Sequence, residues 1–171
     1  MKDLQITTYL LQPHGNIPNN QQLPLLVYRQ VLKNSNDLVS QFKDAFQQNN
    51  WRGSWVNGVF NYHHYHSKAH EVLGVTSGSA TLILGGPGAQ ELTANAGDML
   101  VLPAGTGHCL KSASPDFKVV GAYPAGQGNY DICTEKEDPE EKRENIAAVA
   151  LPATDPVLGK SGPLLQHWHL L

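Results

Sequence analysis

The sequence predicts an all-β fold, an antiparallel sandwich or barrel with a helix before it and another after it. Three observations carry this. Six short apolar runs, 56–62, 71–76, 80–84, 99–102, 108–112 and 117–123, are punctuated by glycine and proline, the spacing of short antiparallel strands. Three stretches, Val72-Leu73-Gly74-Val75, Thr81-Leu82-Ile83-Leu84 and Met99-Leu100-Val101-Leu102, are apolar on both faces, as in strands covered on both sides. The chain has 171 residues, 40% of them hydrophobic, enough for one core.

Each segment follows from its residues. Residues 9–12 and 25–32 are apolar and β-prone, and the Pro/Asn/Gln-rich stretch 14–24 between them is a loop. Ser35, Asn36 and Asp37 offer helix caps. Leu38, Val39, Phe42, Ala45 and Phe46 then fall on one helical face, and Asn49-Asn50 ends the helix. Gly85-Gly86-Pro87-Gly88 is a hairpin loop. It lacks the Lys-Ser/Thr ending of a phosphate-binding loop. Residues 138–150 form a second helix, capped by Asp138 with Pro139 in the first turn. The organisation expected is one domain over 1–171: an N-terminal extension over 1–50, a barrel over 51–123 and a C-terminal wrap over 124–171.

Charge excludes some partners. Twelve Lys and Arg against 15 Asp and Glu leave a net charge of −3, so there is no basic footprint for nucleic acid. No apolar run approaches the roughly 20 residues of a membrane span. Met1 to Thr8 lack the apolar core of a secretory leader, so a cytoplasmic location is expected. The two cysteines, Cys109 and Cys133, form no CxxC pair and read as free thiols.

The chemistry lies in the histidines. Four of the eight, His63, His64, His66 and His70, fall within eight residues. In a strand, residues i and i+2 share a face, so His64 and His66 send two imidazoles to one side. Glu71 opens the next strand. His108 begins a later one, directly after the turn Pro103-Ala104-Gly105-Thr106-Gly107, which aims it inward. Three imidazoles and one carboxylate suit one divalent transition metal, among Fe, Mn, Ni, Zn, Co and Cu. Other signatures fail: His70-Glu71-Val72-Leu73-Gly74 is not HExxH, and neither a Gly-x-Ser-x-Gly elbow nor a dinucleotide fingerprint occurs.

These residues resemble the two motifs of the cupin superfamily. The first is Gly58-x5-His64-x-His66-x4-Glu71-x6-Gly78, and the second is Gly97-x5-Pro103-x-Gly105-x2-His108-x3-Ser112. Only Ser112 departs, standing where the family usually has Asn. The short gap between the motifs, Ser79 to Ala96, suits a bacterial cupin. His63-His64-Tyr65-His66-Ser67 with His70-Glu71-Val72-Leu73-Gly74 resembles the YjlB-like cupins, and the tail, with Asp155-Pro156-Val157, Gly162-Pro163-Leu164 and Trp168, is similar to theirs too; this implies no particular reaction. The resemblance implies a double-stranded jelly roll with a metal in its mouth, held by His64, His66, Glu71 and His108. His70 in place of Glu71 is the alternative fourth ligand.

Tyr62, His63 and His70 are the candidate general bases, with His63 and His70 out of phase with the ligands and expected outward or at the rim. His167 and His169 flank Trp168 and are a remote candidate for a second metal site. By strand phase, Tyr62, Leu73, Val75, Leu110, Ser112 and Tyr123, with Met99 or Leu100, line the interior. No arginine lies between Gly53 and Tyr123, so the fork usually chosen for a carboxylate or phosphate is missing. A small neutral or chelating substrate is therefore expected.

Two functions fit. One is a metalloenzyme acting on a small molecule, dioxygenase-like, with isomerase or decarboxylase chemistry also open. The other is a non-catalytic, metal-bearing module that binds or senses a small ligand. The strands apolar on both faces further suggest a homodimer through one barrel sheet.

Overall fold

The computed structural model describes residues 4–33 and 35–169. Met1, Lys2 and Asp3, part of the terminus read as leaderless, lie outside the described residues, as do Asn34, Leu170 and Leu171 at the ends of the expected segments.

Eleven strands form two antiparallel sheets among the described residues. The strands are β1 (Gln5–Tyr9), β2 (Leu25–Arg29), β3 (Trp51–Asn57), β4 (His64–Tyr65), β5 (Glu71–Ser77), β6 (Ser79–Leu84), β7 (Gln90–Asn95), β8 (Met99–Leu102), β9 (His108–Ala113), β10 (Lys118–Pro124) and β11 (Cys133–Thr134). One sheet runs β1-β2-β8-β5-β10-β3 and the other β11-β4-β9-β6-β7. The helices are α1 (Leu38–Gln48), α2 (Pro139–Ala148) and the short α3 (Leu164–His167). This is the jelly roll expected from the sequence.

Alternation explains the layers. In the larger sheet, Leu25, Val27, Leu73, Val75, Leu100 and Val119 face the second sheet, where they meet Ala80, Leu82, Leu84 and Leu92. Their neighbours Leu26, Tyr28, Val72, Met99, Val101 and Val120 face the opposite way. There they meet Leu38, Phe42 and Phe46 of α1, together with Trp51, Leu164 and Trp168. The chain's own helix and tail thus cover the second apolar face, and that pattern by itself calls for no second subunit. The outer layer holds three of the largest fully buried rings, Phe42, Phe46 and Trp51. Each fully buried large apolar side chain contributes about 1.5–3 kcal/mol.

The boundaries differ from the sequence reading in four places. The run 56–62 is not a strand as a whole. β3 starts at Trp51 and stops at Asn57; Arg52, Gly53 and Ser54 between its two tryptophans break the apolar run and so hide its start. β7 was missed because only Leu92 and Ala94 of its six residues face inward. The first strand lies at Gln5–Tyr9, paired residue for residue with β2, rather than at 9–12. β2 ends at Arg29 because Gln30 adopts a left-handed φ of 50°. α1 and α2 stand within a few residues of their expected ends, and the Asp138 side chain accepts from the Glu140 N–H at 3.0 Å, as a cap should.

One carboxylate holds the tail. Asp155 is fully buried. Its Oδ1 accepts from the N–H groups of Val157 and Leu158, both at 3.0 Å. Its Oδ2 accepts from the Leu164 N–H at 3.2 Å and from the Tyr28 hydroxyl at 2.5 Å. Burial, then the Asp155 charge, push the Tyr28 hydroxyl far above its ordinary pKa, so it stays a donor. Tyr28→Phe removes one hydrogen bond to a buried charge. It should cost about 1.5–3 kcal/mol in urea unfolding, with the metal site intact. A loss under about 0.5 kcal/mol would show that this bond contributes little.

Candidate metal centre

The phase of β5 places the site. Glu71 shares the inner face with Leu73 and Val75, while His70 shares the outer face with Val72. β4 and β9 pair directly through His64 and His108, which brings the first motif's histidines beside the second's. His108 is aimed by the turn before β9. Gly105 there has φ +92°, and a Cβ would lie 2.6 Å from the Asn19 carbonyl oxygen, so only glycine fits.

His64, His66, Glu71 and His108 are all buried and all line one cavity of about 240 Å³ between the sheets. The ligand-type atoms of His66, Glu71 and His108 lie within 4.8 Å of one another. Glu71 Oε2 is 3.3 Å from His66 Nε2, and Oε1 is 3.3 Å from His108 Nε2. The His64 ring stands 4.0 Å from that of His108 between centroids.

The far side of each ring settles its tautomer. Nδ1 of His64 meets the Tyr62 carbonyl at 2.9 Å, Nδ1 of His108 meets the Thr106 carbonyl at 3.0 Å, and Nδ1 of His66 meets the Asp131 carbonyl at 2.5 Å. A carbonyl only accepts, so each Nδ1 carries the hydrogen and each Nε2 of the neutral ring turns a lone pair to the cavity. That is the tautomer a metal needs, held by the kind of outer hydrogen bond that orients metal-ligating imidazoles. Two lone pairs and a carboxylate at 3.3 Å repel unless a cation lies among them. The donor set therefore fits a divalent metal.

The electrostatics agree. Burial, then the neighbouring His108, push His64 down to about 3, so it stays neutral. Burial also opposes charge on His66, but the Glu71 carboxylate outweighs it and the His66 pKa is raised. Burial would raise Glu71. Its contacts with His66 and His108 outweigh that and hold the carboxyl below the usual range.

The three candidate bases fall elsewhere. Tyr62 is 44% exposed and stacks on Phe60, and its carbonyl rather than its hydroxyl serves the site. His63 is half-buried outside the cavity. His70 is fully buried on the outer face, with its ring against Trp168 at 4.8 Å between centroids. Its Nδ1 accepts from the Ala104 N–H at 2.9 Å, and burial lowers its pKa to about 4. The strand reverses face at each residue, so His70 and Glu71 cannot share the cavity, and His70 is not the fourth ligand. Ser112 is exposed and Met99 faces the outer layer, so the interior expected from phase is corrected there; Val75 and Leu100 do face inward, in the packed core between the sheets. Leu73 and Tyr123 do line the cavity.

The residues missed come from far along the chain. Trp55 lies across β10 because Gly121 has no side chain; a Cβ there would be 2.2 Å from the indole. Its Nε1–H donates to the Tyr123 hydroxyl at 2.9 Å. One extra β3 residue is bulged between the pairs Trp55↔Gly121 and Arg52↔Tyr123, so Trp51 packs outside and Trp55 inside. Tyr130 and Ile132 line the cavity from the segment after β10. Asp131 anchors that segment: its carboxylate accepts from the Ser67 N–H at 2.7 Å and from the Ser67 hydroxyl, and its carbonyl holds His66. The Gly126 and Gly128 stretch was the one sequence signal of this loop.

Three outcomes follow from this geometry. Glu71→Gln should weaken metal binding by about 100-fold or more with the fold retained, measured by metal content after dialysis. His70→Ala should leave metal content near wild type while lowering the melting temperature, because it empties a buried site. Metal affinity should rise from pH 6 to pH 8. The raised His66 pKa means that its proton stabilises the metal-free fold below pH 6.5 and is lost as pH rises through the folded-state value, so metal meets less competition at higher pH. A flat affinity profile would contradict the His66 assignment.

The cupin domain model matches residues 56–120, from the end of β3 into the start of β10. A Bacillus subtilis (strain 168) protein named uncharacterized protein YjlB is 43% identical over 162 residues, covering 94% of this chain and 95% of its own. Among solved structures, acireductone dioxygenase from Bacillus anthracis, with cadmium in its active centre, is 16% identical over 53% of this chain and 61% of its own, at a TM-score of 0.37. A Bacillus subtilis oxalate decarboxylase is 16% identical over 71% of this chain and 30% of its own, also at 0.37. The family model falls on the strands that carry the four site residues and the YjlB match runs nearly end to end, so the chain belongs to the cupin family, in its YjlB-like branch.

Proposed function

We propose that the protein is a metal-dependent enzyme acting on a small molecule, with dioxygenase-like oxidation of a chelating substrate as its reaction. The observation that carries this is the donor group His66, Glu71 and His108, two imidazoles and a carboxylate, at one end of a cavity that opens to solvent. That ligand type with open positions is the one used by non-haem iron oxygenases. His64 also lines the cavity, its ring 4.0 Å from that of His108 between centroids.

A bound iron would supply a place for dioxygen and substrate side by side, and the redox change. The chain's own residues hold and shield. The carbonyls of Tyr62, Asp131 and Thr106 keep the three Nε2 atoms pointed inward. Leu73, Val59 and Trp55 exclude water around the donors. Tyr123 has its hydroxyl tied to Trp55, and its pKa is pushed up by burial and then by the Glu71 charge, so it stays protonated and acts as a donor. With Tyr62, His63 and His70 outside the cavity, an isomerisation or decarboxylation needing a protein base is less well supported than oxidation.

The same shortage of a base favours one second reading, a metal-bearing module that binds a small ligand without turnover. Oxygen uptake separates the two. Protein reconstituted with Fe(II) should consume dioxygen with at least one of acetylacetone, catechol and maltol, and Glu71→Gln should remove that uptake. Stabilisation by these compounds with no uptake would favour the binding module.

A further inference from the structure

We propose that the cavity selects a planar, single-ring chelator that is uncharged in solution, gripped between Phe60 beside His64 and the stacked Tyr123–Tyr130 pair beside His66. The oxygen-donor half of this inference rests on the metal reading above. The ring half rests on the walls.

The first wall is Tyr123 and Tyr130. Their rings are stacked at 4.3 Å and 19°, and both stand nearly perpendicular to His66, at 86° and 74°. The second wall is Phe60, backed from outside the cavity by Tyr62. These stack at 5.0 Å and 14°, and both are inclined to His64, at 67° and 55°. Each of the two histidines of the first motif thus has an aromatic pair at its side, one pair before β4 in sequence and one near the end of β10 and beyond it.

Each wall leaves one cavity-lining ring open. Phe60 is 46% exposed and Tyr130 38% exposed, and both line the cavity. Large apolar rings half in water at a cavity mouth gain most from a ligand that covers them. The charge of the lining points the same way. Among the described residues, no lysine or arginine lines the cavity, and Glu71 is the one acidic side chain that does. A dianion would have no side-chain cation to meet, whereas a neutral ring meets aromatic edges and faces. The cavity of about 240 Å³ holds roughly eight waters, which is room for one substituted ring and not for a nucleotide.

The test uses full-length protein loaded with Co(II), whose visible spectrum reports a ligand entering the metal's coordination shell. Maltol is the neutral ring chelator, and oxalate is the charged chelator without a ring. Maltol should bind at least about tenfold more tightly than oxalate. Phe60→Ala and Tyr130→Ala should each weaken maltol about three- to tenfold and leave oxalate affinity and metal content unchanged. Tyr130→Phe, which keeps the ring, should retain wild-type maltol affinity.

Oxalate binding as tight as maltol, or maltol affinity indifferent to both alanine variants, overturns the inference while the metal reading stands. If the alanine variants instead convert a dimer to a monomer with maltol affinity unchanged, the rings serve a subunit contact and the inference fails. Should the protein take up no metal, the metal reading falls. Maltol quenching of tryptophan fluorescence in the metal-free protein, lost in Tyr130→Ala, would then sustain the ring half alone, and its absence would overturn that too.

Discussion

A carboxylate sealed between two imidazole nitrogens is the constraint on which this structure turns. Glu71 is 2% exposed, and a lone buried carboxylate is costly enough that it must be neutralised or paired. Its partners at 3.3 Å are His66 and His108, each with its hydrogen held on the far nitrogen by a main-chain carbonyl. The surrounding architecture brings the donor atoms of His66, Glu71 and His108 within 4.8 Å of one another, a group that could hold a metal, with the His64 ring beside that of His108.

The fixing is done at a distance. The carbonyl that holds His66 belongs to Asp131, 65 residues away in sequence. Asp131 stays in place because its carboxylate is bound by Ser67, next to His66. One short segment therefore closes on itself through the site: it orients a donor ring and also delivers Tyr130 to the cavity mouth. Asn145 of α2 donates to the Ser67 hydroxyl at 3.3 Å, so the second helix also bears on the site. Second-layer contacts of this kind decide how firmly donor atoms are preorganised.

The larger sheet separates chemistry from support by parity. Along β5, Glu71, Leu73 and Val75 turn to the cavity side, and His70, Val72 and Gly74 to the side of α1 and the tail. The support side is strongly built. Asp155 gathers four donors and pins the tail, Trp168 donates from its indole to the Pro24 carbonyl at 2.8 Å, and its ring covers His70. A histidine one residue from a metal donor is in this way a core residue of the opposite layer. The covered outer face also accounts, within one chain, for the strands apolar on both sides.

The sequence by itself determined what depends on short spacing. His64 and His66 share a face because a strand repeats every two residues, Gly105 is required by a turn with positive φ, and the alternation of Val72 to Val75 shows two covered faces. Those local rules sufficed for the all-β class, for the group His66, Glu71 and His108, and for both long helices. Tertiary structure alone decided what depends on residues far apart meeting. Trp55 reaches Tyr123, Asp131 reaches His66, and Trp168 reaches His70, and no period in the sequence encodes such meetings. The roles given to Tyr62, His63 and His70 failed for the same reason. Nearness along the chain to a donor does not tell which face of a sheet a side chain takes, or what packs over it, and those two facts separate a residue of the site from a residue of the core.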